Sequence, residues 1–369
     1  MNLLTPKLRF NEFSNGWPRC TLKDTFTIHY GKDHKLLSDG IYPLLGSGGV
    51  MRYVSSYLYD KPSVLIGRKG TIDKPQFIST PFWTVDTLFY TEIKNNFVPY
   101  FVYLLSLRIR WKKYSEATGV PSLNVTSIYG IQINVPSVEE QQKIANFLTT
   151  VDTKINQLTE KHRLLKEYKK GVMQQIFSQQ LRFKDKDGKA FPEWKEEAIG
   201  KYLEPHKELV SADTDLPVLT SSRTGLYLQE RSVNNEGEYG VVPFGYFTYR
   251  HMSDDLTFKF NVNRYYERGA VSKEYPVFKT VGLNTYFLEI KLNEGKEFKR
   301  FAIQQKQGGT RTRLYFKNLK ELKIAIPCLE EQQKIAHFLQ ALDSKITAVS
   351  EQIKQTKQFK KGLLQQMFV

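Results

Sequence analysis

Cysteine is nearly missing from this chain of 369 residues. Only Cys20 and Cys328 occur, too few for a disulfide framework or a cysteine-rich zinc site, and a reducing compartment is the default expectation. No apolar run approaches the ~18 residues of a membrane span, and residues 1–10 lack the apolar core of a secretory signal. A soluble, cytoplasmic chain without a membrane partner is therefore expected. Acidic residues are in deficit, 38 Asp plus Glu against 54 Lys plus Arg, and the net +16 points to a polyanion, nucleic acid before membrane. Catalytic signatures are absent as well. There is no Gly-x-x-x-x-Gly-Lys phosphate loop and no Asn-Pro-Pro-aromatic or Asp-Pro-Pro-Tyr run of an amino-methyltransferase, and the six histidines are scattered without metal-ligand spacing. Glu-x-Lys recurs, as in Glu92-Ile93-Lys94 and Glu321-Leu322-Lys323, at the frequency a Lys-rich chain supplies by chance. No catalytic residue, metal site or cofactor of its own is expected.

What is present is an internal repeat. Ile133 to Phe177 matches Ile324 to Phe368 without a gap, 22 of 45 positions being identical, around a shared Glu-Glu-Gln-Gln-Lys-Ile-Ala at residues 139–145 and 330–336. A fainter echo precedes each variable part: Leu8-Arg9-Phe10 with Trp17, and Leu181-Arg182-Phe183 with Trp194. The chain divides accordingly into a first variable domain, 1–136, a spacer helix, 137–180, a second variable domain, 181–327, and a second spacer helix, 328–369.

The repeated segment reads as a long helix. Ser137 stands three residues before Glu140 in capping-box spacing, and Glu139 and Glu140 suit the positive end of the helix dipole. Cys328 replaces that serine in the second copy. Ile144, Leu148, Val151, Ile155, Leu158, His162, Leu165, Lys169, Val172 and Ile176 advance by alternating steps of four and three, a coiled-coil seam. Ile335, Leu339, Leu342, Ile346, Val349, Ile353, Thr356, Lys360, Leu363 and Met367 keep the register. His162 and Lys169 read as register-setting or snorkelling residues rather than ligands or bases. A helix over Val138 to Ser178 spans ~60 Å, and pseudo-twofold pairing makes the two helices antiparallel, with a variable domain at each end.

Both variable domains read as short strands with glycine- and proline-punctuated loops, so the fold class is mixed α/β. They carry most of the excess charge, +7 in residues 1–136 and +5 in 179–327. Several loops set small donors beside cations. In the first domain the candidates for DNA binding are Lys32, Ser47, Gly48, Arg52, Arg68, Lys69, Thr71, Thr118, Ser122 and Asn124. In the second they are Ser221, Ser222, Arg223, Tyr249, Arg250, Lys273, Thr310, Arg311 and Arg313. Glycine admits a phosphate close to backbone amides, hydroxyls add short donors, and arginine takes guanine bidentately or neutralises charge. Glycine-rich turns with an exposed arginine are common singly; it is their recurrence in both domains that counts. Pro81-Phe82-Trp83 reads as core rather than as a base-stacking platform.

A domain ending in Val135-Pro136 or Ile326-Pro327, then Glu-Glu-Gln-Gln-Lys-Ile-Ala-x-Phe-Leu and a long helix, all present twice, resembles the specificity subunit of type I restriction-modification systems. The resemblance covers the whole chain, and Cys328 in place of the cap serine is a slight departure. It implies two target recognition domains that read the unlike halves of a bipartite, asymmetric DNA target, with the helix pair as a ruler for the gap. It also implies two docked methylase subunits, which bring S-adenosylmethionine, and restriction or motor subunits, which bring ATP and Mg. The shared face with Gln141, Gln142, Lys143, Gln332, Gln333 and Lys334 is the candidate methylase contact. Competing readings are a self-contained DNA nuclease using a Glu-x-Lys site, and a basic coiled-coil scaffold that binds RNA or protein.

Overall fold

The computed structural model describes residues 4–115, 119–229, 237–306 and 311–369; Thr118 and Thr310 lie outside the described residues. The chain forms two compact units, Met1–His162 with Ala348–Val369, and Arg163–Thr347. Each unit joins strands and short helices to one stretch of both long helices, so the mixed α/β class holds.

In the first unit an antiparallel sheet runs in the order Phe26–Tyr30, Leu88–Ile93, Ser63–Gly67, Gln76–Ile78. All five residues of Ser63–Gly67 are buried, as a central strand covered on both faces requires. A second sheet pairs Gly49–Val54 with Asp39–Gly46 antiparallel, and Trp83–Thr84 with the latter in parallel. Phe82 is fully buried, in agreement with the core reading of its cluster. Arg19–Thr21 and Gln132–Asn134 then close the domain just before the first long helix.

The second unit follows the same plan. Its larger sheet runs Leu203–His206, Val277–Thr280, Phe247–Tyr249, Phe260–Val262, and Lys195–Ala198 closes against Lys323–Ile326 just before the second long helix.

The long helices are Val138–Phe177 and Leu329–Gln366, of 40 and 38 residues. Every seam position is buried or half-buried, His162 included. Lys169 is not merely snorkelling: it donates to Asp343 at 2.5 Å, and its repeat counterpart Lys360 donates to Asp152 at 2.6 and 2.7 Å. Within each unit the two helix stretches run antiparallel: the end of one helix, at Gln366 or Phe177, lies beside the start of the other, at Glu140 or Glu331. The first helix stops one residue before the expected Ser178. Gln179 takes a left-handed φ of 60°, a turn that ends helices, and Leu181 N–H returns to the Gln175 carbonyl at 3.1 Å. At the matching end of the second helix the Gln366 carbonyl receives Leu8 N–H at 2.9 Å, so the start of the chain supplies the contact that Leu181 makes in the other copy.

The helix starts explain the repeated motifs. Ser137 Oγ accepts from Glu140 N–H at 3.4 Å, but the return half of the capping box is missing. The Glu140 carboxylate instead turns inward, where Arg9 holds both its oxygens at 2.7 Å and Trp17 Nε1 donates at 3.3 Å. Glu331 is held the same way by Arg182, at 3.2 and 2.9 Å, and by Trp194 Nε1 at 3.0 Å. Both glutamates are about 1% exposed or less, and a carboxylate so deeply buried requires such charged and hydrogen-bonded partners. Beneath each clamp lies a matching aromatic set, Trp17, Phe101 and Phe368 in one unit and Trp194, Phe287 and Phe177 in the other.

Candidate nucleic-acid interface

In the first unit three of the proposed loops meet. The segment Gly67 to Thr71 needs glycine at its start, because a Cβ on Gly67 would lie 2.2 Å from the Thr71 carbonyl oxygen, and again at Gly70, whose φ is +82°. This bend lets Gly70 N–H donate to the Pro121 carbonyl at 2.9 Å and Leu123 N–H to the Arg68 carbonyl at 2.9 Å, and Lys69 pairs with Ser122 as an isolated bridge. Ser47 Oγ lies on the Gly70 side, 3.8 Å from where a Cβ would stand. Ser47, Arg68, Lys69, Thr71, Ser122 and Asn124 therefore belong to one surface. Lys69 is exposed and Arg68 is half-buried, its guanidinium 5.4 Å above the Tyr30 ring and one nitrogen donating to the Asp86 carbonyl at 3.2 Å. Lys32, two residues beyond Tyr30, is exposed, and so is Gly48. Asn124 also has a structural duty, since its Oδ1 accepts Ser127 N–H at 2.6 Å to cap Val125–Tyr129.

Arg52 departs from expectation. It pairs with Asp39 at 3.0 Å and donates to the carbonyls of His34 and Leu37 at 3.0 Å each, which ties down the preceding loop and spends the guanidinium donors within the domain.

In the second unit Ser221, Ser222, Arg223 and Arg250 line an open pocket of about 460 Å3 together with Thr224, Lys259 and others. Ser221 is buried and accepts Asn261 Nδ2 at 2.9 Å, so it shapes the floor; Arg250 is exposed at the rim. Two aspartates in sequence meet the flanking arginines: Arg223 pairs with Asp255 at 2.7 Å and Arg311 with Asp254 at 3.0 Å. Asp255 also accepts Thr257 N–H and Ser253 Oγ, and these hydrogen bonds, the Thr257 backbone first, hold its carboxyl down at about 2. Exposed pairs of this kind are weak, so either arginine can exchange its aspartate for another anion. Arg313 is exposed on the short strand Thr312–Arg313, which pairs with Met252–Ser253 beside the same rim.

One candidate is corrected here, and a second lines another depression. Tyr249 is fully buried in a strand whose neighbours are buried too, and its hydroxyl donates to the Leu314 carbonyl at 3.1 Å; it is core. Lys273 is exposed but sits apart from the pocket, along a second depression with His206, Lys207 and Glu208.

Among the shared-face candidates, Gln141 and Gln332 are each 2% exposed and point inward. Gln141 Nε2 donates to the Pro136 carbonyl at 3.0 Å and its Oε1 accepts Val98 N–H at 3.0 Å, where Val98 caps the domain helix Pro99–Ser106. Gln332 does the same with the Pro327 carbonyl and Asn284 N–H, at 2.9 and 2.8 Å, at the start of Thr285–Glu294. Both are joints within a unit and not a docking surface. Gln142, Lys143 and Gln333 remain exposed and Lys334 half-exposed. Gln142 and Lys143 line a shallow open groove with Phe10 and Phe147.

Sequence reasoning missed Tyr30, Tyr227 and Lys259 at these surfaces, and Asp254 with Asp255. Tyr227 follows the buried Leu226 in Gly225–Leu228 and is exposed. Among the described residues no three His, Cys, Asp or Glu side chains cluster to hold a metal, and no helix is long and apolar enough to cross a membrane.

The profile of the family described as the type I restriction modification DNA specificity domain matches residues 15–166 and 273–357, more than half of the chain. The chain belongs to this family. Its curated relatives include the type I restriction enzyme EcoprrI specificity subunit of Escherichia coli, 26% identical over 125 residues, which are 34% of this chain and 31% of that protein. A Methanocaldococcus jannaschii protein described as the MjaX specificity subunit is 24% identical over 330 residues, 79% of this chain and 71% of its own length. The chain thus spans about a third of the first relative's length and some seven-tenths of the second's. In fold, the chain is similar to the type I restriction-modification system S subunit from M. genitalium, with a TM-score of 0.67 at 14% identity over 99% of each chain. The specificity-domain fold therefore extends along the full length.

Proposed function

We propose that this chain is the DNA-recognition subunit of a type I restriction-modification complex. Residues 1–136 and 181–327 act as the two recognition domains, each reading one half of a bipartite target, while the helical segments 137–180 and 328–369 set the gap. The observation that carries this reading is the pair of unlike, cation-bearing loop surfaces mounted on matching clamps at the roots of one duplicated helix. Unlike surfaces read unlike sequences, so the target is asymmetric.

The chain works without catalytic groups of its own, in the cytoplasm. Two methylase subunits dock at the exposed helix face around Gln142, Lys143, Gln333 and Lys334 and supply S-adenosylmethionine chemistry. Restriction subunits bring ATP and Mg. What the chain's own residues do is present donors: Arg68, Lys69 and Ser122 in one domain, and Arg223, Arg250 and Arg311 in the other. Neutralised phosphates give the affinity its salt dependence, and base contacts give it sequence.

The test is to express the chain with its methylase and sequence the methylated adenines. A bipartite motif with two different halves is expected; methylation at a single contiguous motif, or by the chain alone, rejects the proposal. Inserting four residues beside Leu158 should change the gap and leave both half-sites as they were.

A further inference from the structure

The apolar seam between the long helices rewards contact but not one register, because the hydrophobic effect is non-directional. Register in paired helices is specified by polar groups that must find one another. Here those groups form a three-way joint, present twice. In the first unit the Asp152 carboxylate takes both the Lys360 ammonium, from the other long helix, and the hydroxyl of Tyr100, from the recognition-domain helix Pro99–Ser106. In the second, Asp343 takes the Lys169 ammonium and the hydroxyl of Tyr286, second residue of Thr285–Glu294.

Asp152 with Asp343, and Lys169 with Lys360, are matching positions of the repeat. The tyrosines come from the variable domains, whose sequences differ, yet each stands at the second position of a helix whose N-cap residue, Val98 or Asn284, donates its N–H to Gln141 or Gln332. The lysines are 17% and 19% exposed and their aspartates 28% and 44%, so each ammonium is largely withdrawn from water while its carboxylate stays partly solvated, and the charge-assisted bonds give the joint direction. Burial, followed by the neighbouring carboxylate, raises both tyrosine hydroxyls well above their ordinary range, so each stays protonated as a donor.

We infer that Asp152 and Asp343 are positioning residues for DNA recognition: each fixes its recognition domain to both long helices at once, and so sets how strictly the complex demands one gap between half-sites. The inference rests on the function proposed above. A helix pair slipped by one turn would leave Lys360 or Lys169 half-buried without its carboxylate, which is the kind of penalty that enforces a single register.

The experiment uses the full chain assembled with its methylase and a pool of randomised duplexes, sequenced after selection. Wild type, Asp152→Asn, Asp343→Asn, Tyr100→Phe and Lys360→Arg are compared, with melting temperatures recorded in parallel. Wild type and Lys360→Arg should select one gap. The two aspartate variants should select the same half-sites but lose roughly tenfold in preference for that gap over gaps one base pair longer or shorter. Tyr100→Phe removes only a hydroxyl; it should shift the preference in the same direction by a smaller factor, and it keeps the test decisive if Asp152→Asn does not fold. An unchanged gap preference with a lowered melting temperature makes the joint merely structural and overturns the inference. Failure of wild type to select any bipartite sequence overturns the reading of function, and the inference falls with it.

Discussion

At the root of each variable domain the same contacts recur: an arginine and a tryptophan on a buried glutamate, a glutamine on the N-cap N–H of a domain helix, and a tyrosine and a lysine on one aspartate. At the loop surfaces the described residues are held in different ways. The first domain gathers its loops by backbone pairing around Gly70, and the second sets arginine–aspartate pairs around a pocket. A joint has to be geometrically unique, so its parts are retained together; a reading surface has only to present donors, so many arrangements serve. One position in the frame also differs. Lys291, four residues after Phe287, is fully buried where Leu105 lies four residues after Phe101. It pairs with Glu297 and lies 4.9 Å from the centre of the Phe177 ring.

The largest effect should come from cutting the clamps. Glu140→Ala leaves the Arg9 guanidinium largely buried and uncompensated, and should cost about 3–5 kcal/mol in urea unfolding; Glu331→Ala should cost the same. A cost below about 1 kcal/mol at either would break the equivalence of the two roots. Glu297→Ala strands the buried Lys291 and should cost about 3 kcal/mol, whereas Lys291→Leu with Glu297→Gln, which copies Leu105, should be near neutral. If the double variant is as damaged as the single, the pair does more than fill a core position. Arg223→Ala and Arg68→Ala should each lose about 1–3 kcal/mol of discrimination at one half-site only, read from binding to single-base variants of the target. Equal weakening on every duplex would mark a phosphate contact instead. The smallest effect concerns the caps: Cys328→Ser should stabilise the second helix by roughly 0.5–1 kcal/mol, and Ser137→Ala should remove a similar amount from the first.

Much of the frame is legible in the sequence, because a seam stepping by four and three from Ile144 to Ile176, and again from Ile335 to Met367, has one physical meaning. Gln141 shows where legibility ends. The repeated Glu-Glu-Gln-Gln string draws the eye as a shared surface, yet Gln141 stands three residues before Ile144 and on the seam's own face, a periodic signal that it is buried. Glu140 lies a step of four before Ile144, with the same meaning. Its partner was visible only as the echo Leu-Arg-Phe…Trp, since nothing local says which carboxylate an arginine 131 residues away will take. Tyr249 was misread for a related reason: Phe247-Thr248-Tyr249 lacks alternation because the strand is covered on both faces, and a hydroxyl in such a strand finds a carbonyl inside the domain. The loop surfaces were recognisable by residue type, but whether an arginine is spent inside, as Arg52 is, or held at a rim, as Arg223 is, depends on contacts between distant segments.

The clamp also bears on how such a chain can change. Arg9 and Trp17 stand near the start of the first variable domain, Glu140 just past its end, and all three meet at one point; Arg182, Trp194 and Glu331 do likewise around the second. Everything between those markers is a cassette whose two ends are fastened by the same knot. A foreign segment spliced in at the knot arrives with its moorings ready made, so genetic exchange can replace a variable domain without disturbing the scaffold that holds it.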